Sequence, residues 1–249
     1  MHHRLDQAMV VRGLVRSRSR AQDLIRRGCV TVDGHIADKT GLLVSQDAQI
    51  HIAANAAADM VSRGALKLAA ALDVFGFDPR RQIAIDVGAS TGGFTEVLLA
   101  RGAAKVYAVD VGRGQLDPLL GADPRVVSLE QTDARALDAG MVPDPIGAIV
   151  ADVSFISLVK ALPAAMDRAA SGAWLVALVK PQFEVGRDGI GKGGIVRDEQ
   201  LREAALAGVA AWIAEQPGWR VTGSMASPIT GRSGNVEWLI GARRDDRND

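Results

Sequence analysis

Apolar residues recur along this chain in two rhythms, and the change between them marks two pieces. In the first, Leu5, Ala8 and Met9 and then Ala21, Leu24 and Ile25 repeat at helical spacing, which predicts two short helices with Gly13 between them and Gly28 after the second. Val30 and Val32 before Asp33-Gly34, with Ile36 after it, predict a hairpin whose tight turn sets its glycine at positive φ. This α+β piece, residues 1–52, is small for a strong core of its own, so it is expected to lean on a partner or on the rest of the chain. An alanine-rich linker over 53–61 follows. In the second piece, 62–243, apolar runs end in polar groups: IAID at Asp86, VYAVD at Asp110, IGAIVAD at Asp152 and WLVALVK at Lys180, while a final run NVEWLIGA holds Glu237. Such runs predict an open, Rossmann-like α/β sheet that meets its ligands at the carboxyl edge. Residues 244–249 are charged and nearly devoid of apolar side chains, which predicts a disordered tail.

At 249 residues, 48% of them hydrophobic, the chain has room for one large domain plus a small appendage. Its 29 basic and 29 acidic residues cancel, so a polyanionic partner must be met by local clustering. Cys29 is the only cysteine; it excludes an intrachain disulfide, fits a reducing, cytoplasmic compartment and reads as a packing residue. Arg12 and Arg16 interrupt the MVV stretch before a signal-peptide core forms, and WLVALV is too short to span a bilayer. Neither export nor stable membrane association is expected.

The segment Ile83 to Phe94, IAIDVGASTGGF, is a strand-like run, a glycine-rich turn and the start of a helix. Gly88-Ala89-Ser90-Thr91-Gly92 fits a nucleophile elbow, but His2, His3, His35 and His51 all precede Ser90, so the order Ser, Asp, His cannot be built. A P-loop lacks its lysine, because Gly92-Gly93-Phe94-Thr95 stands at the helix start. A dinucleotide site stays open: Asp110 lies about twenty residues on, where an acid holds ribose hydroxyls, although the glycine spacing departs from G-x-G-x-x-G. Asp86, directly before the turn, is better suited to a cofactor that carries a sulfonium and an ammonium. S-adenosylmethionine has those charges. On that reading Gly88 to Gly93 wraps its methionine part and Asp110 takes its ribose hydroxyls. Asp133 accepts from the adenine amine, and Phe94, Val111 and Asp152 are further candidate contacts.

The basic residues Arg16, Arg18, Arg20, Arg26 and Arg27 surround the second helix, and positions 16, 20 and 27 can share a face away from the apolar stripe. A solvated face is one reading. Only Asp6 and Asp23 offset these arginines, however, and arginine favours forked contacts to phosphate, which points to RNA.

Arg4-Leu5-Asp6, Ser17-Arg18 with Ala21 beyond, Leu24-Ile25, the segment Gly28 to Gly34 and Lys39 resemble the S-four-type RNA-binding domain. Ser62-Arg63-Gly64-Ala65-Leu66-Lys67-Leu68, followed by the Asp86 turn, resembles the opening of the FtsJ-like methyltransferases. Together the halves resemble the TlyA family, known both as haemolysins and as ribosomal RNA 2′-O-methyltransferases, with Met60 standing where that family often has an aromatic residue. The resemblance implies S-adenosylmethionine as cofactor, ribosomal RNA or a ribosomal subunit as partner and cytidine as target. Arg4, Arg16, Arg18, Arg20, Arg26 and Arg27 are the candidate RNA contacts. The resemblance also implies a Lys-Asp-Lys-Glu tetrad, whose positions Lys67, Asp152, Lys180 and Glu237 match in order.

Singly, each tetrad residue reads as a solvated cap at a strand or helix end; their combination is what speaks for catalysis. A ribose hydroxyl needs its proton taken as it attacks. Lys180 serves if neutral: burial and the charge of Lys67 favour that form, while Asp152 and Glu237 favour the charged one. Orientation alone can supply effective molarities of about 10⁵–10⁸ M, and no metal is demanded. Asp152-Val153-Ser154-Phe155 lacks the two prolines of the turn that holds a base amine, which disfavours base N-methylation and is compatible with a ribose oxygen. Gly186 to Gly194, glycine-rich and mildly basic, is either a plain surface loop or a lid over the RNA backbone. The rival reading is an RNA-associated or membrane-active binding protein without methyl transfer, although the long amphipathic or apolar segment of a pore-former is missing.

Overall fold

The structure, a computed structural model, describes the chain except Met1, Arg16, Ser17, Arg27, 53–60, Arg63, Arg232, Ser233 and 246–249, with the backbone alone of His2, Ser19, Asp23 and Arg187. The linker expected over 53–61, with Met60, therefore lies almost wholly outside the described residues. Two compact units divide the chain, Met1–Ser62 and Arg63–Asp249.

In the first unit β1 (His2–Arg4) leads into α1 (Leu5–Val11) and α2 (Arg18–Arg26), followed by β2 (Val30–Val32), β3 (His35–Ile36), β4 (Leu43–Ser45) and β5 (Ile50–Ile52). The six residues read as the two helical stripes are all buried, and with Val30, Val44 and Ile50 they form a core of the unit's own. Cys29 packs partly buried against it. Both turn residues between β2 and β3 take positive φ, Asp33 at 50° and Gly34 at 81°, as a two-residue hairpin turn of matching twist requires.

The second unit begins with α3 (Gly64–Phe75) and β6 (Ile83–Val87), then α4 (Gly93–Ala100), β7 (Lys105–Val109), α5 (Pro118–Gly121) and β8 (Val126–Leu129). The chain then returns through β9 (Ile146–Ala151), α6 (Leu158–Ala161), α7 (Pro163–Asp167), β10 (Ala169–Val179), α8 (Pro181–Glu184) and α9 (Glu199–Glu215). It closes with β11 (Trp219–Ala226) and β12 (Trp238–Arg244). Seven strands form one sheet in the order β11-β12-β10-β9-β6-β7-β8, parallel from β10 to β8, with β12 antiparallel to both neighbours. The continuous apolar runs follow from burial on two faces. On β12, Ile240 and Ala242 join the cluster that holds Val209 and Ile213 of α9, while a side chain on Gly241 would strike the Phe75 ring of α3. Progress from β6 outward through β7 and β8, then back to β9, makes a switch point between β6 and β9, the place where open α/β sheets take their ligands.

The carboxyl terminus departs from expectation. β12 runs through Arg244, whose guanidinium donates to the Ala169 and Met166 carbonyls, and the Asp245 N–H donates to Gly218 O at 2.8 Å. Charge suggested a tail from 244 on; main-chain pairing carries the order one residue past β12. Among the described residues no helix is long and apolar enough to cross a membrane.

Candidate active site at the carboxyl edge of the sheet

β6 ends one residue past Asp86 and passes into a turn in which Gly88, Ser90 and Gly92 take φ of 82°, 48° and 96°. Gly88 is required by the chain itself: a Cβ there would lie 2.7 Å from the Asp152 carbonyl oxygen. At Gly92 it would overlap the side chain of Leu120. The glycines expected to admit a ligand thus first let strand ends and a neighbouring helix close on one another. Gly88 N–H and Ala89 N–H donate to Val109 O, and Thr91 O accepts from Asp117 N–H, so the turn is tied to the end of β7 and to the segment beyond. Gly93 and Phe94 start α4 in the interior, and the buried Phe94 ring is a core residue rather than an open contact.

Three carboxylates gather here. Asp110 follows β7 and accepts from Ser90 N–H at 2.8 Å and Gly112 N–H at 2.7 Å. Asp86 is wholly buried; its Oδ2 accepts from Thr95 N–H and Oγ1–H at 2.9 and 2.7 Å, while Oδ1 has no hydrogen-bond partner among the described residues. Burial, with the charges of Asp152 and Asp110, pushes Asp86 up to about 7 despite the bonds from Thr95. A buried acceptor atom in excess negative potential fits an external cation. Val111, 72% exposed beside Asp110, offers an apolar surface at the same edge. The segment between is held by Glu130, which accepts from Gly114, Gln115 and Leu116 N–H, and Ser90 Oγ donates to Gln115 Oε1 at 3.1 Å. Asp133 stands apart in its bonding: Arg135 occupies both its oxygens and holds it down at about 2, and it caps a short 3₁₀ turn.

The four tetrad residues form two ion pairs. Lys67, on the first turn of α3, reaches Glu237 Oε2 at 2.5 Å, both side chains buried; Lys180 Nζ lies 2.6 Å from Asp152 Oδ1. Sheet register explains the convergence. Asp152 and Lys180 are the residues just after β9 and β10, and Lys180 lies one step beyond the Val179↔Trp238 pair, level with Glu237 just ahead of β12. The Lys180–Asp152 contact is a charge contact, since Oδ1 receives no aligned hydrogen bond; Lys180 donates instead to Ser154 Oγ at 2.9 Å.

Around Lys180 the two loops are stitched together, which the residue pattern did not announce. Phe155, at φ 68° and 92% exposed, meets the Phe183 ring at 5.3 Å. Glu184 accepts from Ser157 Oγ–H at 2.5 Å and Leu158 N–H at 2.9 Å. On the other side, buried Asn235 accepts from Val196 N–H and donates to Gly194 O, so the far end of the glycine-rich loop is pinned to the segment that carries Glu237.

In the first unit, Arg4 and Arg18 converge on the buried Asp6, and Arg26 donates to Gln22 on the helix surface. Arg20 is buried at 9% exposure and does not belong to an outward face. Position 20 lies one helical turn before the buried Leu24, on the inner side of α2. Arg16 and Arg27 lie outside the described residues.

A sheet with this strand order, a glycine turn after its first strand and a pair of lysines each matched to an acid at its carboxyl edge define a methyltransferase of the Rossmann-like class. The FtsJ-like methyltransferase family matches residues 60–244, and the S4 domain matches residues 3–50. The chain is 48% identical to the 16S/23S rRNA (cytidine-2′-O)-methyltransferase TlyA of Mycobacterium tuberculosis over 96% of its length and 89% of that protein. It is 41% identical to Hemolysin A of Brachyspira hyodysenteriae, covering 95% and 98%. A solved structure of a hemolysin-named protein from Streptococcus thermophilus superposes with a TM-score of 0.77 at 40% identity, covering 98% of this chain and 89% of that one. The chain belongs to the FtsJ-like methyltransferase family, in its TlyA branch, with an S4 domain at its amino terminus.

Proposed function

We propose that this protein transfers a methyl group from S-adenosylmethionine to a ribose 2′-hydroxyl of ribosomal RNA in the cytoplasm, with cytidine, the nucleoside named for its mycobacterial relative, as target. The observation that carries this reading is the pair of ion pairs Lys67–Glu237 and Lys180–Asp152 at the carboxyl edge of the sheet. When bound, the cofactor supplies an electrophilic methyl on a sulfonium. Asp86 and Asp152 meet its positive charge, Asp110 uses its remaining lone pairs for ribose hydroxyls, and Val111 lies against adenine. Asp133, bound to Arg135, has less capacity left for the adenine amine.

Lys180 is the catalytic residue: less enclosed than Lys67–Glu237, it meets the 2′-hydroxyl and, as the unprotonated amine, takes its proton, with Asp152 and Ser154 aiming its Nζ. Lys67 and Glu237 hold one another and set the charge behind it. Phe155 presents an aromatic face to the target base. In the S4 unit, Arg4, Arg18 and Arg26, with Arg16 and Arg27, dock on phosphates.

The test is transfer of labelled methyl from S-adenosylmethionine to ribosomal subunits that lack the modification, followed by mapping. A single ribose made resistant to alkaline cleavage is the expected result. Label on a base, or none, overturns the proposal.

A further inference from the structure

Asp6 is wholly buried, yet it carries a charge that the core does not need. Its carboxylate accepts from Arg4 Nε at 3.1 Å and Nη2 at 3.4 Å, from Arg18 Nη2 at 3.0 Å and from Gln22 Nε2 at 2.9 Å. The three donors come from β1 and from two turns of α2, so one acid gathers side chains distant in the chain. Both arginines remain half exposed, at 45% and 52% for their side chains. Gly41 adds to the arrangement: a Cβ there would lie 3.1 Å from Arg4 Nη1, so the bare backbone lets the guanidinium lie flat against it. The acid is also held far below the usual carboxylate range, because the bonds from both arginines and Gln22 outweigh its burial.

We infer that Asp6 is a positioning residue for RNA binding, whose buried carboxylate holds the guanidinium groups of Arg4 and Arg18 side by side as one preset, outward-facing phosphate clamp. The inference rests on the reading of the S4 unit as an RNA-docking module and adds to it which two arginines act together and what aligns them. Arginine is suited to the role because a guanidinium bound through one edge still offers its other N–H groups to a second anion. Gln22 takes a further lone pair of the carboxylate without adding charge, which limits how either arginine can rotate around Asp6.

The inference makes a prediction opposite in sign to simple electrostatics. Asp6→Asn removes a negative charge near a polyanion, and a charge lost at about 6 Å across water tightens binding by roughly threefold. If Asp6 positions the clamp, the same change weakens binding by about threefold to tenfold, since two flexible arginines must then be ordered by the RNA itself. The probe is a ribosomal RNA transcript in filter binding between about 50 and about 200 mM salt, where one lost phosphate contact lowers the slope of log affinity against log salt by about 0.9. Circular dichroism and the thermal melting of residues 1–62 within the whole chain check that Asp6→Asn is folded. A second variant avoids the buried site: Arg4→Lys keeps the charge and loses the fork, and is expected to bind nearly as weakly as Arg4→Ala. Tighter or unchanged binding by Asp6→Asn, or full binding by Arg4→Lys, overturns the positioning role. If Arg4→Ala and Arg18→Ala bind like the parent, it is the RNA-docking reading that fails.

Discussion

Lys180 and Lys67 are the same residue type at the same edge of the sheet, yet their loss separates chemistry from stability. Lys180→Ala is expected to lower methyl transfer by about two to four orders of magnitude, the usual worth of a proton-transferring group, with cofactor affinity by calorimetry little changed. Lys67→Met leaves Glu237 buried without its partner and is expected to cost about 3–5 kcal/mol in urea unfolding, part of which Glu237→Leu in the same chain restores. Asp86 gives a pH dependence. With its folded value raised to about 7 from an ordinary value of 3.8, the cofactor-free protein retains a proton that the unfolded chain has released between those values. Stability therefore falls as pH rises through that window, by about 1.4 kcal/mol per pH unit from this group. Asp86→Asn should flatten the profile measured by denaturation, and S-adenosylmethionine, whose positive charge favours the ionised acid, should raise the melting temperature more at pH 8 than at pH 6. Asp86, Asp152 and Lys180 were legible because each ends an apolar run, whereas Lys67 and Glu237 were picked out by the resemblance to the FtsJ-like enzymes. Their partners Thr95, Gln115, Ser154 and Asn235 were not, since which polar side chain meets which depends on loop paths that spacing does not encode.

The turn from β6 to α4 and the stitched loops after β9 and β10 decide how much of the site survives a change in one element. Gly88→Ala places a Cβ against the Asp152 carbonyl at a φ of 82°, so it should cost about 1–3 kcal/mol of stability and displace Asp152 along with the turn. Loss of cofactor binding is then a consequence of the strand ends parting, and a crystal structure of the variant would show it. Phe155→Ala differs, because a ring 92% exposed contributes little to the fold: thermal melting should stay near the parent value while KM for ribosomal RNA rises. A parental KM would remove the ring from substrate contact. The parallel strands and the Asp33-Gly34 hairpin could be read from continuous apolar runs and turn chemistry. β11 and α9 could not. β11 alternates exposed and only partly buried positions through Thr222, Gly223 and Ser224, and α9 is so rich in alanine that its buried residues Ala205, Val209 and Ile213 barely stand out from the rest.

At the scale of the whole molecule, the change of apolar rhythm marked the division into two pieces, and in the first the buried Leu5, Met9, Leu24 and Ile25 belong to one apolar cluster within that unit. Separate cores predict separable functions. A fragment beginning at Arg63 keeps the seven-stranded sheet and every candidate cofactor residue, so it should fold and bind S-adenosylmethionine with parental affinity. It should methylate ribosomal RNA poorly if docking falls to Arg4 and Arg18, as proposed above, because the chain has no net charge to attract a polyanion. The defect should appear as a raised KM for RNA rather than a lowered kcat, since the chemistry of Lys180 is untouched. Salt sharpens the test: methylation by the whole chain should fall steeply between about 50 and about 200 mM salt as phosphate contacts are screened, and the fragment's residual activity should fall less. A fragment that matches the whole chain at both salt concentrations would assign RNA recognition to the catalytic unit and the loop from Gly186 to Gly194 instead.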